Sequence, residues 1–320
     1  MKFHALLPVR DEADIIQQSL AHLVTWADAV YVFDTGSCDQ TWELVCQFAT
    51  KDCRVLPLRR DPVFFSDKRV RAWLFHQARR YMLEGDWFLR VDADEFHHVN
   101  PRDFVRAHMR PHETVAFHQY YDFHLTRSEA DAWCSGKETM LDRKRPISER
   151  RRSYTISSYT EPRLCRYRQS MRWPENVSFP FNGGYTAVER LPIRHYPHRD
   201  PAQLQRRCCV RAMMMAEPDN TCAQHWNATD WRQFIYPDHA GGLQYWEPGA
   251  ELPDPQSREH LAGMPKRALQ RLCHACCLPL LDKLRAGYSD RCYPHRLPPQ
   301  LRTRLNQELA ALLPEPATEG

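Results

Sequence analysis

The stretch Trp87-Phe88-Leu89-Arg90-Val91-Asp92-Ala93-Asp94-Glu95-Phe96 decides how the rest of the chain is read. Five mostly apolar residues make a short buried strand, and the acids that follow stop it at one end. Two aspartates two apart at a strand end can point to the same side and share one divalent cation. Their hard oxygens suit Mg²⁺ or Mn²⁺, which would bridge a diphosphate and neutralise it as a leaving group. Alone, such a tripeptide is as readily a turn or a helix cap.

Working outward toward the N-terminus, Phe3 to Val9 reads as a strand followed by Arg10-Asp11-Glu12, and then a helix with Ile16, Leu20 and Leu23 on one stripe. Ala29 to Phe33 is a second strand, stopped by Asp34-Thr35-Gly36-Ser37, and Asp39 can cap the helix that carries Trp42, Val45 and Phe48. Arg54 to Leu58 is a third strand, and Ser66 or Asp67 opens a helix lined by Val70, Trp73 and Leu74. This β-α-β-α-β-α-β order predicts an α/β fold, a mostly parallel central sheet flanked by helices. Ligands of such sheets sit beyond the carboxyl ends of the strands. Three strand ends therefore present acids and a base to one crevice.

The segments LLPVRDEADII (6–16), VFDTGSCDQTWEL (32–44) and WFLRVDADEF (87–96) resemble, in order, the three blocks of family 2 nucleotide-sugar glycosyltransferases of bacterial type, which have the Rossmann-like GT-A fold. The second block usually reads Asp-Asp-Gly-Ser-Xaa-Asp-Xaa-Thr, and this chain departs from it at Thr35 alone. The resemblance covers about the first hundred residues. It implies an inverting, metal-dependent transfer of a sugar from a nucleoside-diphosphate sugar to a glycan, lipid-linked glycan, lipopolysaccharide or other polysaccharide acceptor. Under it, the Pro8-Val9 strand end and Asp34 cradle the base and ribose, Arg10 and Glu12 also bind the donor, the helix with Lys68 and Arg71 faces the phosphates, and Asp92 and Asp94 hold Mn²⁺ or Mg²⁺ and the diphosphate. Similar enzymes close the domain with a histidine-rich segment and use a late histidine as a metal ligand. Here Ile193-Arg194-His195-Tyr196-Pro197-His198 nominates His195.

The general base is the weak point of the pattern. The family often places it in a Glu-Asp or His-Glu element before the closing histidine, and no such pair occurs here. Glu161 and Glu175 are the candidates, with Asp122 a weaker third; Glu161 and Glu175 read more readily as ordinary loop carboxylates. A nucleotidyltransferase on a similar sheet is an alternative, although no glycine-rich, lysine-containing phosphate loop supports it. A non-catalytic sugar-nucleotide- or glycan-binding protein of GT-A type is another.

Three expected regions follow: a nucleotide-sugar half over 1–105, an acceptor-side half of strands and long loops over 106–200, and a helical region over 201–320. Helices are expected over Ala202–Met215, Lys266–Leu284 and Pro299–Leu313. Composition sets outer bounds. The chain is 320 residues, 42% hydrophobic and 26% charged, with a net charge of +4 that gives no argument for nucleic acid. Of its 44 basic residues seven are lysine and 37 arginine, a bias that suits an anionic substrate or reflects a GC-rich genome. The sharpest run, Asp142 to Arg152, reads as a solvated loop or a contact for an anionic acceptor or the inner face of a membrane. Twelve scattered cysteines and no apolar run of spanning length suggest reduced thiols in a cytoplasm. Cys273, Cys276, Cys292 and His295 have zinc-ribbon-like spacing, but the first pair also fits a helix face, where cysteine is a small hydrophobe. Oligomeric state is not legible.

Overall fold

The computed structural model describes residues 1–65, 68–174, 177–180, 183–215, 228–254, 261, 263–277, 280 and 293–312. The first ninety residues alternate as read: β1 (Phe3–Val9), α1 (Ile16–Leu23), β2 (Ala29–Asp34), α2 (Thr41–Lys51), β3 (Val55–Arg60), α3 (Lys68–Ala78) and β4 (Trp87–Arg90). Strands β3-β2-β1-β4 lie side by side and pair in parallel. The central strands are buried on both faces. In β1, Phe3, Ala5, Leu7 and Val9 pack with α1 residues Ile16, Leu20 and Leu23, while Leu6 turns to the α3 side against Phe75 and Phe88. Fully burying one such aliphatic side chain stabilises the fold by about 1.5–3 kcal/mol, so the sheet is fixed by its two apolar layers.

The stretch from 106 to 200 is more ordered than expected. It holds β6 (Val115–Phe123), α5 (Arg127–Cys134), α6 (Ile147–Arg150), β7 (Ser153–Ile156), β8 (Pro162–Arg166) and β9 (Leu191–His195), after β5 (Glu95–His97) and α4 (Pro101–His108). Antiparallel pairing extends the parallel block through β8, β6 and β7 to β10 (Gln244–Tyr245). Strand β9 runs parallel to β6 and antiparallel to β5. That register sets His195 beside Asp122 on one side and Glu95 on the other, directly after the acidic turn. Pairing, not sequence proximity, carries the late histidine to the end of β4.

Beyond the sheet, α7 (Pro201–Met215) begins where expected, α8 (Met264–Cys276) covers the first part of the next expected helix, and α9 (Pro299–Ala311) the last. Leu297, Leu301, Leu305 and Leu309 pack with Phe64, Val210 and Met214, so the segment carrying α9 backs α7. Among the described residues no helix is long and apolar enough to cross a membrane.

Candidate functional site

The loops after β1 and β2 are tied together by their own polar groups. The Asp34 Oδ1 accepts the amides of Gly36 at 2.7 Å and Ser37 at 2.6 Å. Gly36 has φ 96°, and a Cβ there would come within 2.7 Å of the Pro62 Cα, so the turn requires glycine. Across the gap, the Asp11 amide donates to the Ser37 hydroxyl, the Cys38 amide donates to Asp11 Oδ1, and the Arg10 guanidinium donates to the Thr35 carbonyl. Asp11 is the described non-glycine residue with a positive φ, 53°. A left-handed non-glycine residue is strained and persists only where its surroundings hold it; here two hydrogen bonds to Asp11 do, with the Arg10–Thr35 bond beside them.

Beyond these strand ends lies a cavity of about 270 Å³, walled by Pro8 to Glu12, Thr35, Phe65, Arg71, Asp92 to Asp94, His195 and the near face of α7. Seven residues singled out from the sequence meet there: Pro8, Arg10, Glu12, Arg71, Asp92, Asp94 and His195. Asp34 does not line it. Its side chain is fully buried and faces its own loop, and burial pushes its carboxyl up against the pull of the Ser37 and Gly36 amides. Asp34 thus holds its own loop through Oδ1, its buried Oδ2 has no hydrogen-bond partner among the described residues, and Thr35 lines the cavity beside it.

The two aspartates of the acidic turn have different partners. Arg71 Nη2 donates to Asp92 Oδ1 at 2.7 Å, and Arg163 approaches Oδ2 at 3.4 Å. Burial alone would raise the Asp92 carboxyl, but the guanidiniums of Arg71, Arg163 and Arg90 outweigh it and hold the group well below the usual carboxylate range. Asp94 Oδ2 lies 3.7 Å from His195 Nε2, 3.5 Å from Arg207 and 3.8 Å from Arg199. The other ring nitrogen of His195, Nδ1, is 2.7 Å from Asp122 Oδ1. Burial lowers the affinity of this imidazole for a proton, and Asp94 and Asp122 more than restore it. Glu12, which shares Arg199 with Asp94, is pushed up to about 8 by burial, partly offset by Arg199. Arg199 itself is fully buried and grips both Glu12 and Asp14.

The largest group that sequence reasoning missed is the face of α7. Gln203, Arg206, Arg207, Val210 and Arg211 all line the cavity. Their spacing of three, four, seven and eight residues is one face of a helix, so the signal was present in a helix read only for its apolar residues. Burial and then the neighbouring Arg207 bring the Arg211 guanidinium down to about 9. Arg206 is 9% exposed, and its Nε and Nη2 have no hydrogen-bond partner among the described residues.

Donor chemistry at the cavity fits a divalent cation: two carboxylates and an imidazole on one wall, with the imidazole steered by Asp122. Among the described residues, however, no three histidine, cysteine or acidic side chains stand close enough to grip an ion as placed, and Asp92 is turned to Arg71.

Several expected residues lie elsewhere. Lys68 is exposed at the start of α3 and does not line the cavity. Glu161 is also off the wall; it accepts from Arg90 at 3.2 Å and Tyr159 at 2.7 Å and ion-pairs Arg163, and its carboxyl stays low because these cations overcome its burial. Glu175 lies outside the described residues, as do Cys292 and the side chain of Cys276, so the zinc reading is reduced to Cys273 on α8 and His295. The nine described cysteines, Cys273 among them, are free. The basic run 142–152 is not a solvated loop throughout. Arg150 and Arg151 are buried, 6% and 1% exposed, because Glu138 and Asp200 neutralise them.

No family model and no curated protein matches the sequence. Among solved structures, the mannosyltransferase PcManGT from Pyrobaculum calidifontis, in complex with GDP-Man and Mn²⁺, is similar at 17% identity, with 41% of this chain and 40% of that chain covered and a TM-score of 0.28. The match thus spans well under half of either chain, and a superposition this loose carries no argument about the site.

Proposed function

We propose that the chain is a glycosyltransferase that moves a sugar from a nucleoside-diphosphate sugar to a glycan or lipid-linked glycan acceptor, with inversion at the anomeric carbon. The observation that supports this most is the meeting of Pro8, Arg10, Glu12, Arg71, Asp92, Asp94 and His195 around one cavity beyond the carboxyl ends of β1 and β4. Those residues come from the first and third sequence blocks, from α3 between them, and from a segment about a hundred positions further on. In this reading Pro8, Arg10 and Glu12 flank the nucleoside, with Asp34 acting through the loop it holds. Arg71 meets the phosphates, and Lys68 stands further out. Asp92, Asp94 and His195 would hold Mn²⁺ or Mg²⁺, which when bound supplies charge neutralisation for the departing diphosphate.

In the transfer, the acceptor oxygen bonds the anomeric carbon while the bond to the diphosphate oxygen breaks and its electrons leave with the nucleoside diphosphate. The acceptor proton must pass to a base. No general base is assigned: Glu161 is immobilised by Arg90 and Arg163, and Asp122 is engaged by His195. That engagement favours, as a second reading, a binder of sugar nucleotides without turnover.

A thermal-shift panel of nucleotide sugars with and without Mn²⁺, followed by turnover of those that bind, tests both. Stabilisation by a nucleotide sugar and release of its nucleoside diphosphate are expected. Stabilisation without turnover would leave the binder, release of pyrophosphate from a sugar phosphate and a nucleoside triphosphate would make the protein a nucleotidyltransferase, and no stabilisation by any nucleotide sugar would end all three readings.

A further inference from the structure

We propose that the apolar face of α8 is a docking surface for an anionic lipid surface. The segment from Gly263 to Cys277 reads GMPKRALQRLCHACC, with several basic residues and no aspartate or glutamate. At about 3.6 residues per turn, Met264, Ala268, Leu272 and Leu269 fall within one arc of roughly 140°, and Lys266 and Arg271 border it on either side. Arg267 and Gln270 lie on the opposite side. A surface helix ordinarily turns such a stripe toward the core, and α8 does the reverse. Met264 is 85% exposed, Leu269 60% and Leu272 62%, and none of the three joins an apolar cluster of the described residues. The helix is held instead by its polar side: the Arg267 guanidinium lies over the Tyr185 ring at 4.7 Å and donates to the Thr186 carbonyl at 3.3 Å.

Single apolar residues on a surface are ordinary, but a cluster of them on one helix face, with a cationic border, is the pattern of a helix that lies in a lipid interface. There the apolar side chains enter the acyl boundary, while lysine and arginine stems lie along it and lift their charges to the headgroups. Lys266 and Arg271 are exposed where this requires them. Charge selects lipid over a second copy of the chain. Two such faces meeting would bring the basic borders of both copies together with no carboxylate from the helix between them, whereas anionic headgroups supply the counter-charge. The attachment point is also clear of the cavity. Thr186 bridges to Val115 at the start of β6, and Asp122, beside His195, is seven residues further along that strand, about 23 Å at ~3.3 Å per residue. Docking through α8 therefore leaves the proposed donor site open, and the inference stands or falls apart from the proposed transfer.

The full chain is sedimented with vesicles of phosphatidylcholine alone and of phosphatidylcholine mixed with phosphatidylglycerol, at low and at physiological salt. Wild type is compared with Leu269→Gln/Leu272→Gln, with Lys266→Gln/Arg271→Gln and, in the other basic run, with Arg145→Gln. Every substituted side chain is exposed, so each variant should melt with wild type. Wild type should bind the phosphatidylglycerol vesicles about tenfold more tightly than phosphatidylcholine alone, and lose affinity as salt rises. Each double variant should weaken that binding about tenfold, and Arg145→Gln should leave it unchanged. No binding to phosphatidylglycerol vesicles, equal binding to both kinds, or unchanged binding in either double variant would overturn the inference. A loss in Arg145→Gln equal to that in Lys266→Gln/Arg271→Gln would overturn it in favour of the 142–152 run. A wild-type dimer that Leu269→Gln/Leu272→Gln splits, seen by light scattering, would overturn it by giving the face to a second copy.

Discussion

Two groups of arginines, each clustered in sequence, have different surroundings. Arg143, Arg150 and Arg151 surround Glu138 and Asp200: Arg143 meets both oxygens of Asp200 at 2.6 and 3.0 Å, and Arg151 meets both of Glu138 at 3.0 and 3.1 Å while also donating to the Arg199 carbonyl. Arg206, Arg207 and Arg211 face a cavity whose carboxylates are mostly committed to other cations. In the sequence the first group is the conspicuous charge run and the second is lost among helix residues. In the structure the first group is neutralised by its own carboxylates, and the second lines the cavity. Where the fold supplies the counter-charge, a run of like charge is a fastening, and here it ties 143–151 to the start of α7.

The sharpest break of this contrast is Arg151→Ala. It leaves Glu138 facing Arg150 alone inside the protein and strips a donor from the Arg199 carbonyl, so stability should fall by about 3–5 kcal/mol, as for a broken buried pair, read by urea unfolding. A loss under 1 kcal/mol would mean the cluster is no fastening. Next, Asp94→Asn should keep the melting temperature within a few degrees yet lower Mn²⁺-dependent affinity for a nucleotide sugar by about a hundredfold, some 2.7 kcal/mol. Unchanged affinity by calorimetry would take Asp94 out of the metal-binding reading.

His195→Ala should raise the Mn²⁺ concentration for half-maximal binding by about tenfold, and Asp122→Asn, which leaves the ring but alters its orienting partner, should do so by less. If Asp122→Asn had the larger effect, the pair would be acting in some way other than ligand and support. The smallest expected effect is Arg145→Ala. This residue belongs to the same run, but it is 54% exposed and reaches Asp142 and Glu149 only at 3.7 and 3.9 Å. Exposed pairs contribute little, so the change should stay within about 0.5 kcal/mol. Equal losses for Arg145→Ala and Arg151→Ala would erase the distinction between fastening and surface charge.

What could be read beforehand follows from where periodicity is clean. The strands and helices up to β4 alternate with polar turns, and the turn acids fall where a parallel sheet puts its ligands, so the α/β fold and most of the cavity's wall were legible. His195 was reached through its sequence neighbours, but only the β5–β9–β6 register explains why it stands at Asp94. Strand β6 was obscured because its nine residues are buried on both faces and give no polar alternation. The loop-holding bonds of Asp34 were not legible because a strand-end acid looks the same in sequence whether or not it caps its own turn. The α7 arginines were passed over because the helix was read for its apolar residues, and only the fold shows that their face lines the cavity.

The packing of Leu301, Leu305 and Leu309 behind α7 also has a consequence in time. A ribosome adding roughly 5–20 residues per second needs about five to twenty seconds to travel from Met215 to Leu309. During that interval Val210 and Met214 face water on the side later covered by the leucines. The nascent helix therefore displays an apolar flank opposite its basic one, a surface suited to chaperone capture. A message broken before Leu297 would yield chains with the acidic turn assembled but the arginine helix unsupported.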